Sequence, residues 1–72
     1  MATRAPRRGT VTEFDPEVGL GVILASGDGP EFPFHLAAIA DRTREIEVGA
    51  AVVFDVAAGA DGRYEATAIV KL

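Results

Sequence analysis

Residues 18–25 read Val-Gly-Leu-Gly-Val-Ile-Leu-Ala, and residues 31–35 read Glu-Phe-Pro-Phe-His. Successive side chains of a β-strand point to opposite faces of the sheet. The first stretch therefore predicts one face with Leu20, Val22 and Leu24 and an opposite face with Gly21, Ile23 and Ala25. The same alternation separates Phe32 and Phe34 from Pro33 and His35. Residues 26–30 are rich in turn formers and predict a loop, so that the two strands form a hairpin.

Further short strands are predicted on both sides of this hairpin. The five predicted strands span 10–15, 19–25, 31–35, 51–58 and 64–72, with a helical turn at 36–40 and a charged connection at 41–47. Because Pro33 lacks an N–H donor, the third strand is expected at a sheet edge or a bulge. Five short strands without a long helix predict an all-β fold, namely a closed or nearly closed five-stranded β-barrel.

The composition indicates one small acidic domain. A chain of 72 residues supports a single core, and the absence of Cys excludes disulfides and thiolate zinc sites. No stretch approaches the roughly 20 apolar residues of a membrane span, so we expect a soluble, unexported, cytoplasmic protein without membrane contact.

The charge is unevenly distributed. Residues 1–8 are expected to form a flexible basic arm, which carries Arg4, Arg7 and Arg8. From Gly9 onward, four basic residues face eleven acidic ones, which gives this part of the chain a formal charge of −7. Such a body repels phosphates, so either the partner is not nucleic acid or binding depends on a local arrangement of charge.

The order of these segments resembles the cold-shock domain over residues 9–72. In that family the second strand carries Lys-Gly-Phe-Gly-Phe-Ile, and the third carries Asp-Val-Phe-Val-His-Phe followed by Ser-Ala-Ile. This chain keeps the two glycines, the isoleucine, the histidine and the Ala38-Ile39 pair. The resemblance implies an oligonucleotide-binding (OB) type of small barrel that binds single-stranded RNA or DNA.

The departures from the family pattern concern its base-stacking aromatics. Thr12 and Glu13 stand where the family has Lys-Trp, and Val18 stands where it has Lys. Phenylalanines are replaced at four positions, which hold Leu20, Val22, Pro33 and Leu36. The acid at Glu31 is retained. Phe32 and Phe34 replace family valines and are therefore assigned to the core.

The resemblance places a candidate binding face on residues at matching positions. These are Phe14, Leu20, Val22, Pro33, His35, Leu36 and Arg44. Phe14 is interpreted either as a stacking residue or as a packing residue at the barrel edge. His35 either contacts a base or is an inert surface residue. The arginines of residues 1–8 either contact phosphates or are simply solvated.

Two functions from different classes follow. One is a cold-shock-like module that binds single-stranded nucleic acid, weakly because stacking is lost. The alternative is a protein-protein interaction module, in which the aliphatic patch of Leu20, Val22, Pro33 and Leu36 docks a partner or a second copy of the chain.

Catalysis is not expected. Ser26, Asp28 and His35 include the residue types of a hydrolase triad, but the spacing of a nucleophile elbow is missing. One His and scattered carboxylates do not repeat at metal-ligand spacing, and Asp28-Gly29 and Asp61-Gly62 are typical of turns. We therefore expect no enzyme activity, no metal and no cofactor.

Overall fold

The computed structural model describes residues 6–41, 45–59 and 62–72. It contains one five-stranded antiparallel sheet with the strand order β3-β2-β1-β4-β5. The elements are β1 (Arg7–Asp15), β2 (Leu20–Ala25), β3 (Glu31–His35), a 3₁₀ turn (Leu36–Ala38), β4 (Ala51–Ala58) and β5 (Tyr64–Lys71). The all-β, OB-type small barrel predicted from the sequence is confirmed.

The sheet curls without closing completely. Its two ends are β3 and β5, and they are linked through the segment that follows the 3₁₀ turn. Ile39 forms an isolated parallel bridge with Ile69, and the N–H of Ala40 donates to the carbonyl of Ile69 at 2.8 Å. Pro33 therefore lies on an edge strand, as its missing donor predicted.

The core consists of the inward-facing residues of all five strands. The largest fully buried side chains are Phe34, Phe54, Ile23, Ile69, Val11 and Val52. Phe32 is also buried, and its ring centroid lies 5.7 Å from that of Phe54 in a tilted arrangement. The assignment of Phe32 and Phe34 to the core is thus confirmed, as is the alternation predicted for β2.

A β-bulge in β1 determines which of its side chains face the hairpin's outer surface. Val11 pairs with Ile23, but the next paired residue is Glu13, which lies opposite Val22. Thr12 is therefore the extra residue, and the alternation of β1 shifts by one position from there on. As a result, Glu13 shares a cross-strand row with Val22.

The first strand begins earlier than predicted. Arg7 pairs with Phe54 and Arg8 with Val53, so both arginines belong to β1. The assignment of these two residues to a flexible arm is therefore corrected. Their sequence has no apolar alternation, but their backbone is ordered by the ladder with β4. Arg4 lies outside the described residues.

Candidate nucleic-acid interface

Strands β2 and β3 bring four of the predicted face residues together. Leu20 pairs with His35, and Val22 pairs with Pro33. Residues directly opposite each other in an antiparallel pair lie on the same face, with Cβ atoms about 4.5–5.5 Å apart. Leu20 is 54% exposed, so the face offers an accessible aliphatic surface where the family has aromatic rings.

Strand β1 adds two carboxylates to the same face. Asp15 lies opposite Leu20, and Glu13 lies opposite Val22. Leu20 and Val22 therefore each lie between an acid on β1 and a residue of β3. Both acids are exposed and repel a phosphate that approaches the face.

A hollow of about 620 Å³ runs across this surface, and we call it the sheet groove. It is lined by Glu13, Phe14, Asp15, Leu20, Gly21, Val22, Pro33, Phe34 and Val48. Val48 was missed by the sequence analysis. It is 61% exposed and reaches the groove from the segment before β4, which strand periodicity cannot reveal.

Phe14 is chiefly a packing residue. It pairs with Gly21, and its ring stacks on that of Phe34 with centroids 6.0 Å apart and planes 3° from parallel. A Cβ at Gly21 would lie 2.4 Å from Phe34 Cζ, so only glycine at position 21 leaves room for the Phe34 ring. Phe14 is half-buried and still lines the groove with its accessible part.

His35 has a structural role that the sequence analysis missed. Its Nδ1 accepts a hydrogen bond from the N–H of Ala37 at 3.1 Å and so caps the 3₁₀ turn. Because Nδ1 is the acceptor, the neutral ring carries its proton on Nε2. The side chain is exposed, and this Nε2–H is a donor suited to a base carbonyl or a phosphate oxygen. An N-cap is usually Ser, Thr, Asp or Asn, so nothing in the sequence marked His35 as a cap.

Leu36 is separated from the other aliphatic residues of the predicted patch. It is half-buried, packs against the core, and covers Gly19, where a Cβ would lie 2.5 Å from Leu36 Cδ2. Its accessible part lines a different hollow of about 570 Å³, together with Phe14, Ile46 and Lys71. The sheet groove therefore holds only Leu20, Val22 and Pro33 of the four. Arg44 lies outside the described residues.

The residues considered for catalysis do not meet. Ser26 follows the last residue of β2, whereas His35 lies opposite its first residue, Leu20. Six strand residues separate the two by roughly 15–20 Å. In the parts of the chain that the structure describes, no group of three or more His, Cys, Asp or Glu could hold a metal ion. Within those same parts, no helix has the length and apolar character needed to cross a bilayer.

A curled five-stranded antiparallel sheet with an accessible β1–β2–β3 surface defines the class of small oligonucleotide-binding barrels. Within that class, the chain belongs to the cold-shock domain family. The model of the "'Cold-shock' DNA-binding domain" matches residues 7–72. This match starts at the first residue of β1, and the resemblance seen in the sequence is confirmed.

A curated relative supports the same family. The chain is 42% identical over 55 residues to the cold shock protein ScoF of Streptomyces coelicolor. These aligned residues cover 75% of this chain and 82% of that protein. Cold-shock domains bind single-stranded nucleic acids and are a non-enzymatic family.

Proposed function

We propose that this chain is a cold-shock-like module that binds single-stranded RNA or DNA weakly, with the sheet groove as its binding surface. The observation that carries the proposal is the outward position of Leu20, Val22 and Pro33 on a fold whose family binds nucleic acids there. The cytoplasmic location expected from the sequence stays a prediction.

Lost stacking supports the weak affinity. Each base stacked on an aromatic ring contributes about 1–3 kcal/mol. Three aliphatic replacements in the groove therefore remove roughly 3–9 kcal/mol, which corresponds to about two to six decades in Kd. Aliphatic side chains still contact a base, but they lack a planar, polarizable face.

Charge acts in the same direction. Glu13 and Asp15 line the groove on its β1 side. Phosphate contacts usually supply much of the affinity for nucleic acid, and these acids oppose them. Among the described residues, the remaining favourable contacts are the Nε2–H of His35 and the accessible part of Phe14.

A titration with labelled oligothymidine, followed by fluorescence anisotropy, tests the proposal. We expect saturable binding at low salt and a Kd above the micromolar range at physiological salt. Salt screens the charges, but it does not restore the stacking energy that the aliphatic replacements remove. A submicromolar Kd at physiological salt would contradict weak binding. The absence of binding at low salt, for RNA and DNA oligonucleotides alike, would contradict the function itself.

A protein-binding role is the second candidate, and the exposed aliphatic residues favour it. Val18, Leu20 and Val48 are 58%, 54% and 61% exposed, and two of them line the sheet groove. A protein partner or a second copy would remove such surface from water, which is favourable by about 25 cal/mol per Å². Light scattering of the chain alone tests its self-association.

A further inference from the structure

A third hollow lies beyond the edge of β3, and we call it the edge hollow. Its volume is about 820 Å³, and it extends between the edge strand β3, the start of β1 and the start of β5. The lining residues that matter are Arg7, Glu31, Phe32, Pro33, Arg63 and Tyr64. Pro33 belongs to the predicted binding face, whereas Arg63 and Tyr64 were not among the predicted site residues.

Positive charge is concentrated in the edge hollow. The structure describes four cationic side chains, and two of them, Arg7 and Arg63, line it. Lys71 is engaged elsewhere, since its Nζ lies 3.1 Å from Asp41 Oδ2 and donates to the carbonyl of Glu45 at 2.7 Å. Glu31 is the carboxylate that lines the hollow. The sheet groove, in contrast, is lined by Glu13 and Asp15, and no cationic side chain of the described residues lines it.

Arg7 is positioned by an aromatic ring. Its Cζ lies 5.5 Å from the centroid of Phe32, within the range of a cation–π contact. Phe32 is itself buried and fixed by its packing on Phe54. The guanidinium of this exposed arginine is thus held near the Phe32 ring, and its planar set of donors suits phosphate oxygens.

Tyr64 supplies an accessible aromatic ring at the same place. It is 65% exposed at the first position of β5. Stacking on an aromatic side chain is the usual way in which single-stranded nucleic acid is held without sequence preference. Among the residues that the structure describes, the edge hollow therefore combines two features that the sheet groove does not have, namely cations and an exposed aromatic ring.

Pro33 lines both the sheet groove and the edge hollow, so these two surfaces are continuous across β3. We propose that a single strand bound in the sheet groove crosses the β3 edge at Pro33 and continues into the edge hollow. There Arg7 and Arg63 contact phosphates, and Tyr64 stacks a base. This inference rests on the proposed nucleic-acid-binding function and extends its site.

Tyrosine fluorescence tests the stacking directly, because the chain has one Tyr and no Trp. We expect unlabelled oligothymidine of about eight nucleotides, within the site sizes of OB folds, to quench Tyr64 with the same Kd that anisotropy gives for a labelled strand. The Tyr64→Thr variant should bind that strand at least about five-fold more weakly, whereas Tyr64→Phe should retain affinity. Binding by anisotropy without any tyrosine quenching would overturn the stacking.

Charge variants test the phosphate contacts. Arg7→Gln and Arg63→Gln should each weaken binding and reduce the slope of log K against log salt by about 0.7, the value for one phosphate contact on a single strand. Arg8→Gln is the matched control. Arg8 is an exposed neighbour on β1 with the same charge change, but it pairs with Val53 and does not line the edge hollow. Thermal unfolding monitored by circular dichroism should show that all three variants are folded. If Arg7→Gln does not fold, Arg63→Gln still tests the phosphate contacts, because Arg63 lies outside the strands.

The failure of this inference differs from the failure of the proposed function. A wild-type chain that binds no oligonucleotide at low salt refutes both. A wild-type chain that binds, but loses no more affinity through Arg63→Gln and Tyr64→Thr than through Arg8→Gln, refutes the edge hollow alone. A loss of affinity that is confined to Arg63→Gln and Tyr64→Thr, and that is seen only with longer oligonucleotides, supports the edge hollow as part of the site.

Discussion

His35 illustrates how one side chain serves both the fold and the candidate site. Its Nδ1 accepts from the N–H of Ala37, so the ring of this exposed side chain is held in one orientation. A residue that is held by its own turn presents a donor without the entropy cost of ordering a free side chain. The family histidine is retained here although most neighbouring aromatics are not.

Two substitutions separate these roles. His35→Ala should lower the free energy of unfolding by about 0.5–2 kcal/mol, because it removes the cap acceptor. His35→Asn should restore most of that stability, since Asn is a good N-cap, while both variants lose the imidazole and bind oligothymidine more weakly. Urea unfolding and anisotropy measure the two effects. Equal stability of the two variants would show that the cap contributes nothing.

At the scale of the strands, the sequence predicted most of the fold because alternation carries the information. The buried and exposed faces of β2 and β3 follow from their period of two, and Pro33 placed β3 at an edge. The bulge at Thr12 could not be predicted, because no residue near it in the sequence indicates an extra residue in the strand. This bulge places Glu13 in the same cross-strand row as Val22.

The same limit applies to the candidate site. Alternation along each strand and the resemblance to the cold-shock domain together predicted one face for Leu20, Val22, Pro33 and His35, and the structure brings them together. Leu36 was expected beside them, but the 3₁₀ turn carries it onto Gly19. The edge hollow joins the start of β1 to the start of β5, and such a juxtaposition arises only when the sheet curls.

A change on strand β2 distinguishes the two candidate functions. If the sheet groove docks protein, Leu20→Lys should dissociate the assembly, because it places a charge within a surface that must be dehydrated. The barrel should stay folded, since Leu20 is half exposed and outside the core. Light scattering measures the assembly, and Leu24→Lys, on the same face but not lining the groove, is the control. Equal masses for the wild type and both variants would argue against self-association through this groove.

For the whole molecule, an acidic body and an aliphatic groove both oppose nucleic-acid binding on a barrel whose family performs it. The fold tolerates this change because the core and the binding face use alternate residues of the same strands. Outward replacements at Leu20, Val22 and Pro33 leave Phe34, Ile23 and the rest of the core unaffected. Binding strength can therefore be altered without altering the barrel.

This independence predicts that affinity can be restored. Leu20→Phe, Val22→Phe and Pro33→Phe together return three aromatic rings to adjacent positions on the outer face of β2 and β3. Each ring should supply part of the roughly 1–3 kcal/mol of a stacked base, so the Kd for oligothymidine should fall at least about tenfold. Pro33→Phe also adds a backbone N–H, which an edge strand can expose to water, and circular dichroism should confirm folding before the titration.

A folded triple variant without any gain would leave two causes, and the register of β1 separates them. Glu13 lies directly opposite Val22, so its carboxylate stands beside the central new ring. If repulsion of phosphates masks the stacking, adding Glu13→Lys should recover the affinity and steepen its dependence on salt, because a phosphate contact replaces a repulsion. If affinity stays low after the charge is reversed, base stacking does not occur on this face, and the sheet groove is not the nucleic-acid site.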